Sequence, residues 1–142
     1  MTKYRKLLLS GIILFNSCNQ RPDPERRIAA TNISIPKDYQ VLSFESDWGI
    51  GETTESYSLL VSRQDFDKVA KEIRQRKSFQ QFSKRKSPKY LYHDNLNLEA
   101  PAETACWYDG RYFYQVYQPD PGVIITIELK EDNIMHIDYN DL

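Results

Sequence analysis

Residues 103–117, ETACWYDGRYFYQVY, decide the fold. Asp109-Gly110 between two aromatic-rich runs is the signature of a two-residue type I′ hairpin, because both central positions of that turn need φ > 0. A turn there sets Tyr108 opposite Arg111 and Trp107 opposite Tyr112. Strand alternation then puts Ala105 and Trp107 on one face with Tyr112, Tyr114 and Val116. That face is the better core candidate. Tyr108, Phe113 and Tyr117 project from the other, with Arg111 and Gln115.

A second hairpin follows the turn at Pro119 to Gly122. It runs Val123 to Lys130 and Ile134 to Tyr139. A two-residue loop would set Leu129 opposite Ile134 or His136 and scramble the faces. A three-residue loop over Glu131, Asp132 and Asn133, with Asn133 left-handed, brings Ile125, Ile127 and Leu129 against Tyr139, Ile137 and Met135. Because a one-residue slip turns every side chain over, that register is favoured.

Towards the N-terminus, residues 39–48 (YQVLSFESDW) predict a strand with Leu42, Phe44 and Trp48 on one face. Gly49 and Gly51 break it. Tyr57, Leu59 and Val61 alternate in a second strand. Ser62 followed by Asp65 is a capping-box pattern. Phe66, Val69, Ala70 and Ile73 then fall at i, i+3, i+4 and i+7, an apolar helix stripe. Residues 76–101 read as a partly packed crossing segment holding Phe79, Phe82, Tyr90, Leu91, Tyr92 and Leu96. The expectation is an α+β domain: a mostly antiparallel sheet, ββα followed by two C-terminal hairpins, with one main helix packed on a face.

The first eighteen residues have a different character. Lys3, Arg5 and Lys6 precede a nine-residue apolar stretch from Leu7 to Phe15, then Asn16, Ser17 and Cys18. A basic start, a short apolar run and a small residue before the cut are the parts of a secretory signal. The run is too short to span a hydrocarbon core of about 30 Å, which takes roughly 20 residues. With the cysteine at the cleavage point, the segment resembles a bacterial lipoprotein signal. The resemblance covers residues 1–18 only, and Asn16 departs from the smaller residue usual there. It implies that the Cys18 thiol takes a diacylglyceryl group, residues 1–17 are removed, and the new amine is acylated, palmitate being the chain expected. It also implies anchoring in a bacterial cell envelope. Asn19, in place of the Asp associated with inner-membrane retention, favours the outer membrane if the cell is Gram-negative.

Residues 18–35, polar with two prolines and no periodicity, read as a lipidated flexible tether. Residues 36–142 read as one globular domain. Loss of Lys3, Arg5 and Lys6 from 19 basic residues, against 20 acidic ones, moves the net charge from −1 to −4. The charge is unevenly spread: residues 63–89 hold ten basic and three acidic side chains, residues 90–142 two and ten. With Cys18 lipidated, Cys106 has no disulfide partner.

Little in the chain carries chemistry. No P-loop, GxSxG, HExxH or paired-cysteine pattern occurs, and no cofactor or metal is expected. Glu128, His136 and Asp138 share the outer face in the favoured register, and read more simply as a cross-strand polar group than as an acid–base or metal site. His93 reads as a loop residue. Cys106 lacks an assigned base and reads as a small packed residue rather than a nucleophile. Arg74, Arg76, Lys77, Lys84, Arg85 and Lys86 form the stretch most like a site, for an anionic surface or an acidic partner. Export argues against nucleic acid. Tyr108, Arg111, Phe113 and Tyr117 have the composition of a protein interface.

These readings point to a membrane-anchored envelope lipoprotein acting as a non-catalytic binding or interaction module. Its expected partners are membrane lipid through Cys18, and an envelope protein or anionic surface. Two alternatives stand beside it: a small envelope enzyme using Cys106 or the Glu128/His136/Asp138 cluster, and a structural envelope component.

Overall fold

The computed structural model describes residues 21–82 and 99–141. Cys18 and its signal, Lys84 to Lys86, His93 and the tyrosines of the crossing segment lie outside the described residues. The fold is one mixed seven-stranded sheet with two short helices, broadly α+β and rich in sheet. Strand β1 (Tyr39–Trp48) and β2 (Thr53–Val61) form a hairpin, followed by α2 (Arg63–Arg74) and a three-residue β3 (Phe79–Gln81). Strands β4 (Ala102–Tyr108) and β5 (Arg111–Gln118) pair next, then β6 (Val123–Lys130) and β7 (Ile134–Asp141). The spatial order is β1-β2-β7-β6-β5-β4-β3. Every pair is antiparallel except β3 with β4, which is parallel.

The turn chemistry fixes both C-terminal registers. Asp109 and Gly110 have φ of 47° and 79°, and Tyr108 pairs with Arg111 and Trp107 with Tyr112. A side chain at Gly110 would be strained by that φ and would meet the Glu131 carboxylate at 3.3 Å. The β6–β7 loop is a 3₁₀ turn over Glu131–Asn133, with Asp132 and Asn133 both left-handed, and it sets Leu129 opposite Met135 and Ile127 opposite Ile137.

One face of the sheet therefore carries Leu59, Ala105, Tyr114, Ile127, Leu129 and Ile137, all buried. Phe66, Val69, Ala70 and Ile73 of α2 join the same core. The Ser62 hydroxyl accepts the Asp65 N–H at 3.1 Å and starts the helix. Burying each large side chain of that stripe contributes about 1.5–3 kcal/mol.

Three expectations need correcting. The segment read as a tether is in large part folded onto the sheet. A five-residue helix, α1 (Pro24–Ile28), is capped by Asp23, and Ile28, Thr31 and Ile33 are buried. The reason is that Ile28 and Ile33 find apolar partners in the core, while polar groups elsewhere hold the segment's backbone. Arg76 donates to the Asn32 carbonyl at 2.7 Å, and Glu72 accepts the Ser34 N–H at 2.7 Å.

On β1, Leu42 sits at a register shift between Val41 and Ser43 and is exposed, so Val41 and Phe44 are the residues packed against the core. Trp48 keeps the inward face but is 58% exposed.

Finally, Phe113 and Tyr117 are not a solvent-facing patch: they are 2% and 4% exposed. The second face of β5 is covered at Phe113, Gln115 and Tyr117, all buried, so both faces of this strand carry buried side chains. A strand in that setting carries a nearly continuous apolar run rather than a clean alternation.

Candidate functional site

Between α1 and the far end of the β1–β2 hairpin lies a cavity of about 330 Å³. From the N-terminal segment it is lined by Arg21, Asp23, Arg26 and Arg27. The sheet adds Phe44 and Trp48 from β1, and Glu55 and Tyr57 from β2. Strand register explains why these meet. Phe44 pairs with Tyr57, Ser46 with Glu55 and Trp48 with Thr53, so all six point to the helix-bearing face. Helix α1 is too short to cover that face to the hairpin's end, and the uncovered part is the cavity.

Its floor is a connected polar group. Arg27 donates from Nε to Glu55 Oε2 at 2.7 Å and from Nη2 to Oε1, a two-point pair. The Tyr57 hydroxyl donates to the same carboxylate. The Arg27 guanidinium also lies 4.1 Å from the centre of the Tyr139 ring. Phe44 packs on Tyr57 with ring centres 4.9 Å apart. The hydrogen bond from Arg27, helped by that from Tyr57, outweighs burial and holds the Glu55 carboxyl below its ordinary value. Burial and the carboxylate push the Tyr57 hydroxyl up, so it stays a donor. The rim differs from the floor. Arg21 and Arg26 are exposed, and neither guanidinium makes a hydrogen bond or ion pair with a described residue. The Trp48 indole donates to Ser46 Oγ at 2.5 Å, which holds its ring at the cavity edge.

No protein-family model matches the chain, and searches of the curated proteins and of the solved structures return no match.

The residues singled out from sequence are placed as follows. Arg76 is an internal clamp: it bonds the Thr31 and Asn32 carbonyls, pairs with Glu103 at 3.7 Å and lies over Tyr114. Arg74 lies over Tyr112, and Lys77 is exposed. Tyr108 and Arg111 are half-buried at the β4–β5 turn, with Arg111 3.5 Å from Glu128.

Cys106 is fully buried, and burial, with the nearby Glu128 charge, pushes its thiol up to about 11. That is the opposite of what a nucleophilic thiol needs. Of the Glu128/His136/Asp138 group, His136 and Asp138 come together on the sheet's second face, with two serines added, while Glu128, opposite His136 in register, has its carboxylate 3.5 Å from Arg111 and 3.9 Å from Lys130. His136 Nδ1 is 3.0 Å from Ser58 Oγ, its Nε2 is 3.3 Å from Asp138 Oδ1, and Ser56 donates to Asp138. Burial alone would raise the Asp138 carboxyl, but the bonds from His136 and Ser56 outweigh it and the net shift is downward.

The strands that carry these side chains, β2 and β7, each pair on both sides, so their N–H groups are committed to the sheet. That leaves these two strands with no spare backbone donor to stabilise a developing oxyanion. Among the described residues no group of three or more His, Cys, Asp or Glu is placed to hold a metal ion. No described helix is long and apolar enough to cross a membrane.

The arginine cavity was missed by sequence reasoning. The available signal was Asp23-Pro24-Glu25, a helix start with Pro at the first position, which would have placed Arg26 and Arg27 on a folded element.

Proposed function

We propose that the protein is a membrane-anchored envelope lipoprotein that acts as a non-catalytic binding module, with the cavity between α1 and the β1–β2 hairpin as its binding site. The observation that carries this reading is the cavity itself. It has an internally satisfied floor and a rim of two guanidiniums that make no hydrogen bond or ion pair with a described residue, beside a partly exposed indole. In the finer architectural reading, α2 is the one main helix that holds the sheet, and the two C-terminal hairpins are its body. Helix α1 then serves both, with Ile28 in the core and Arg26 and Arg27 at the site.

The anchor rests on the signal-like residues 1–18 and Cys18, with the outer membrane favoured in a Gram-negative cell. Mass spectrometry of the chain recovered from its own membranes tests it. An acylated Cys18 at the mature N-terminus supports the anchor, and an unmodified Cys18 or a start elsewhere overturns it. Native mass spectrometry of the same material tests the module: a co-purifying ligand lost in Arg26→Gln supports it, and a ligand retained in that variant moves the site elsewhere.

One observation favours the alternative of a small enzyme, namely the Ser58–His136–Asp138 chain of contacts. The committed backbone donors of β2 and β7 weigh against it, as the buried, high-pKa thiol weighs against Cys106.

A further inference from the structure

We propose that the cavity takes the phosphate of a membrane lipid headgroup, with Arg21 and Arg26 as its donors and Trp48 and Ile50 as the apolar contact beside them. This rests on the reading that Cys18 carries the anchor. Charge is the first support. Of the three guanidiniums at the cavity, Arg27 is committed to Glu55 and stacked on Tyr139. Arg21 and Arg26 spend no guanidinium donor on a described residue. Two planar forks at the mouth of one cavity suit a tetrahedral oxyanion, because guanidinium N–H groups bond phosphate oxygens in parallel pairs.

The acids nearby offset this only in part, because Asp23 alone among the lining carboxylates has no described side-chain cation paired to it. Glu55 is already neutralised by Arg27. Glu45 and Asp47 pair with Ser56 and Thr54, and alternation sends them out of the opposite face of the sheet. Asp23 lies at the rim and accepts the Arg26 backbone N–H at 3.1 Å, and Glu52 stands in the hairpin turn.

Position is the second support. Arg21 follows Cys18 by three residues, which at about 3.5 Å per residue reach no more than about 10 Å. Headgroup layers add roughly 5–8 Å on each side of the hydrocarbon core. An anchor at Cys18 therefore brings the cavity's lip to the level of lipid phosphates, with no long tether to carry it away.

The hairpin tip is the third. Trp48 is 58% exposed and Ile50, in the four-residue turn beyond it, is fully exposed. Large apolar side chains at a turn are unfavourable in water and favourable at a bilayer surface, where Trp is enriched. Anchor origin, cationic rim and apolar tip all belong to one end of the molecule.

The test uses the mature anchored protein in dodecyl maltoside, a detergent without phosphate. Trp107→Phe leaves Trp48 as the remaining tryptophan and hence the reporter. Short-chain phosphatidylglycerol should shift Trp48 emission to the blue and saturate. Inorganic phosphate should bind the same rim about tenfold more weakly or worse, because it lacks the apolar contact. Arg21→Gln with Arg26→Gln should weaken lipid binding by about tenfold or more, the scale of a lost charge-assisted bond, with the far-UV spectrum unchanged. Glu52→Gln should tighten it.

No saturable response to either probe, or a response indifferent to the arginine pair, overturns the proposal. Inorganic phosphate binding as tightly as the lipid overturns its membrane part and leaves a soluble phosphate site. Mass spectrometry of the same sample separates the two readings. An unmodified Cys18 fails the anchor and its positional argument, whereas an acylated Cys18 with a silent titration fails the cavity alone.

Discussion

Arg27 on α1 and Glu55 on β2, 28 residues apart, are locked as a two-point ion pair beneath the cavity, with side chains 19% and 6% exposed. The pair is what ties the N-terminal segment to the hairpin. Removing one partner strands the other charge in a poorly hydrated site. Arg27→Ala is therefore expected to cost about 3 kcal/mol, the lower end of the range for broken buried pairs since Arg27 keeps some water contact. Replacing both, as Arg27→Met with Glu55→Leu, should cost less than the single change. Urea denaturation of the three variants reads this directly.

The same pair sets a pH dependence. The Glu55 carboxyl lies below its ordinary value of 4.5 because the Arg27 hydrogen bond, with that of Tyr57, overcomes its burial. Between the folded and unfolded values the unfolded chain holds the extra proton, so stability rises with pH there. The contribution is complete above about pH 5 and is lost as pH falls through the depressed folded value. Asp138 is shifted the same way. Glu55→Gln should thus flatten only part of the acid limb of the stability curve, and a variant whose acid limb matches that of the wild-type chain would show that the pair does not form.

Residues 24–33 provide a sharp stability test, because a tether and a packed segment respond oppositely. Ile28 is fully buried among core residues. Ile28→Ala should destabilise by about 2–4 kcal/mol, as should Ile73→Ala in the α2 stripe, whereas the exposed Lys71→Ala should be within about 0.5 kcal/mol of neutral. Thermal or urea unfolding decides it. An Ile28→Ala variant as stable as the wild-type chain would return the segment to a tether.

What was legible in the sequence follows from the range of the signal. Asp109-Gly110 and Glu131–Asn133 act over two or three residues, and each fixes a whole strand pair, so both registers could be read. The Phe66–Ile73 stripe spans two turns, enough for a 3.6-residue period to stand out. Helix α1 has five residues and one buried isoleucine, too few for any period, and it is held by a partner far away in sequence, Glu55, while Arg76 holds the chain just after it at Thr31 and Asn32. The cavity was hidden for the same reason, since its lining comes from three segments that only tertiary packing brings together. Phe113 and Tyr117 were misplaced because alternation shows which residues share a face, not whether that face is covered.

Cys106 is expected to be chemically silent in the native chain. Its thiol is fully buried and pushed up to about 11, so at pH 8 about one thiol in a thousand would be ionised even with free access. With Cys18 acylated or replaced by Ser, native protein should react with a maleimide at least about a hundredfold more slowly than protein in guanidinium chloride. Fast native alkylation would mean that the β4 strand opens readily.

Ser58, His136 and Asp138 lie in the order seen in serine hydrolases, and they decide between the binding and catalytic readings. Two features argue that they are a structural polar row. The ring is reversed relative to such enzymes, with Nδ1 towards the serine and Nε2 towards the carboxylate. More decisively, the N–H groups of β2 and β7 are held in the sheet on both sides of the row, so a tetrahedral oxyanion would find no preorganised donors on these strands. Removing one such donor typically costs about a hundredfold to a thousandfold in rate, and here none is available among the backbone groups of these strands. The wild-type chain should hydrolyse an activated phenyl ester no faster than free imidazole does. Ser58→Ala and His136→Ala should leave the Trp48 titration unchanged and cost about 1 kcal/mol or less in stability, as expected for part-buried polar contacts. Ester hydrolysis well above that background and lost in both variants, at unchanged fold, would establish catalysis on the second face of the sheet.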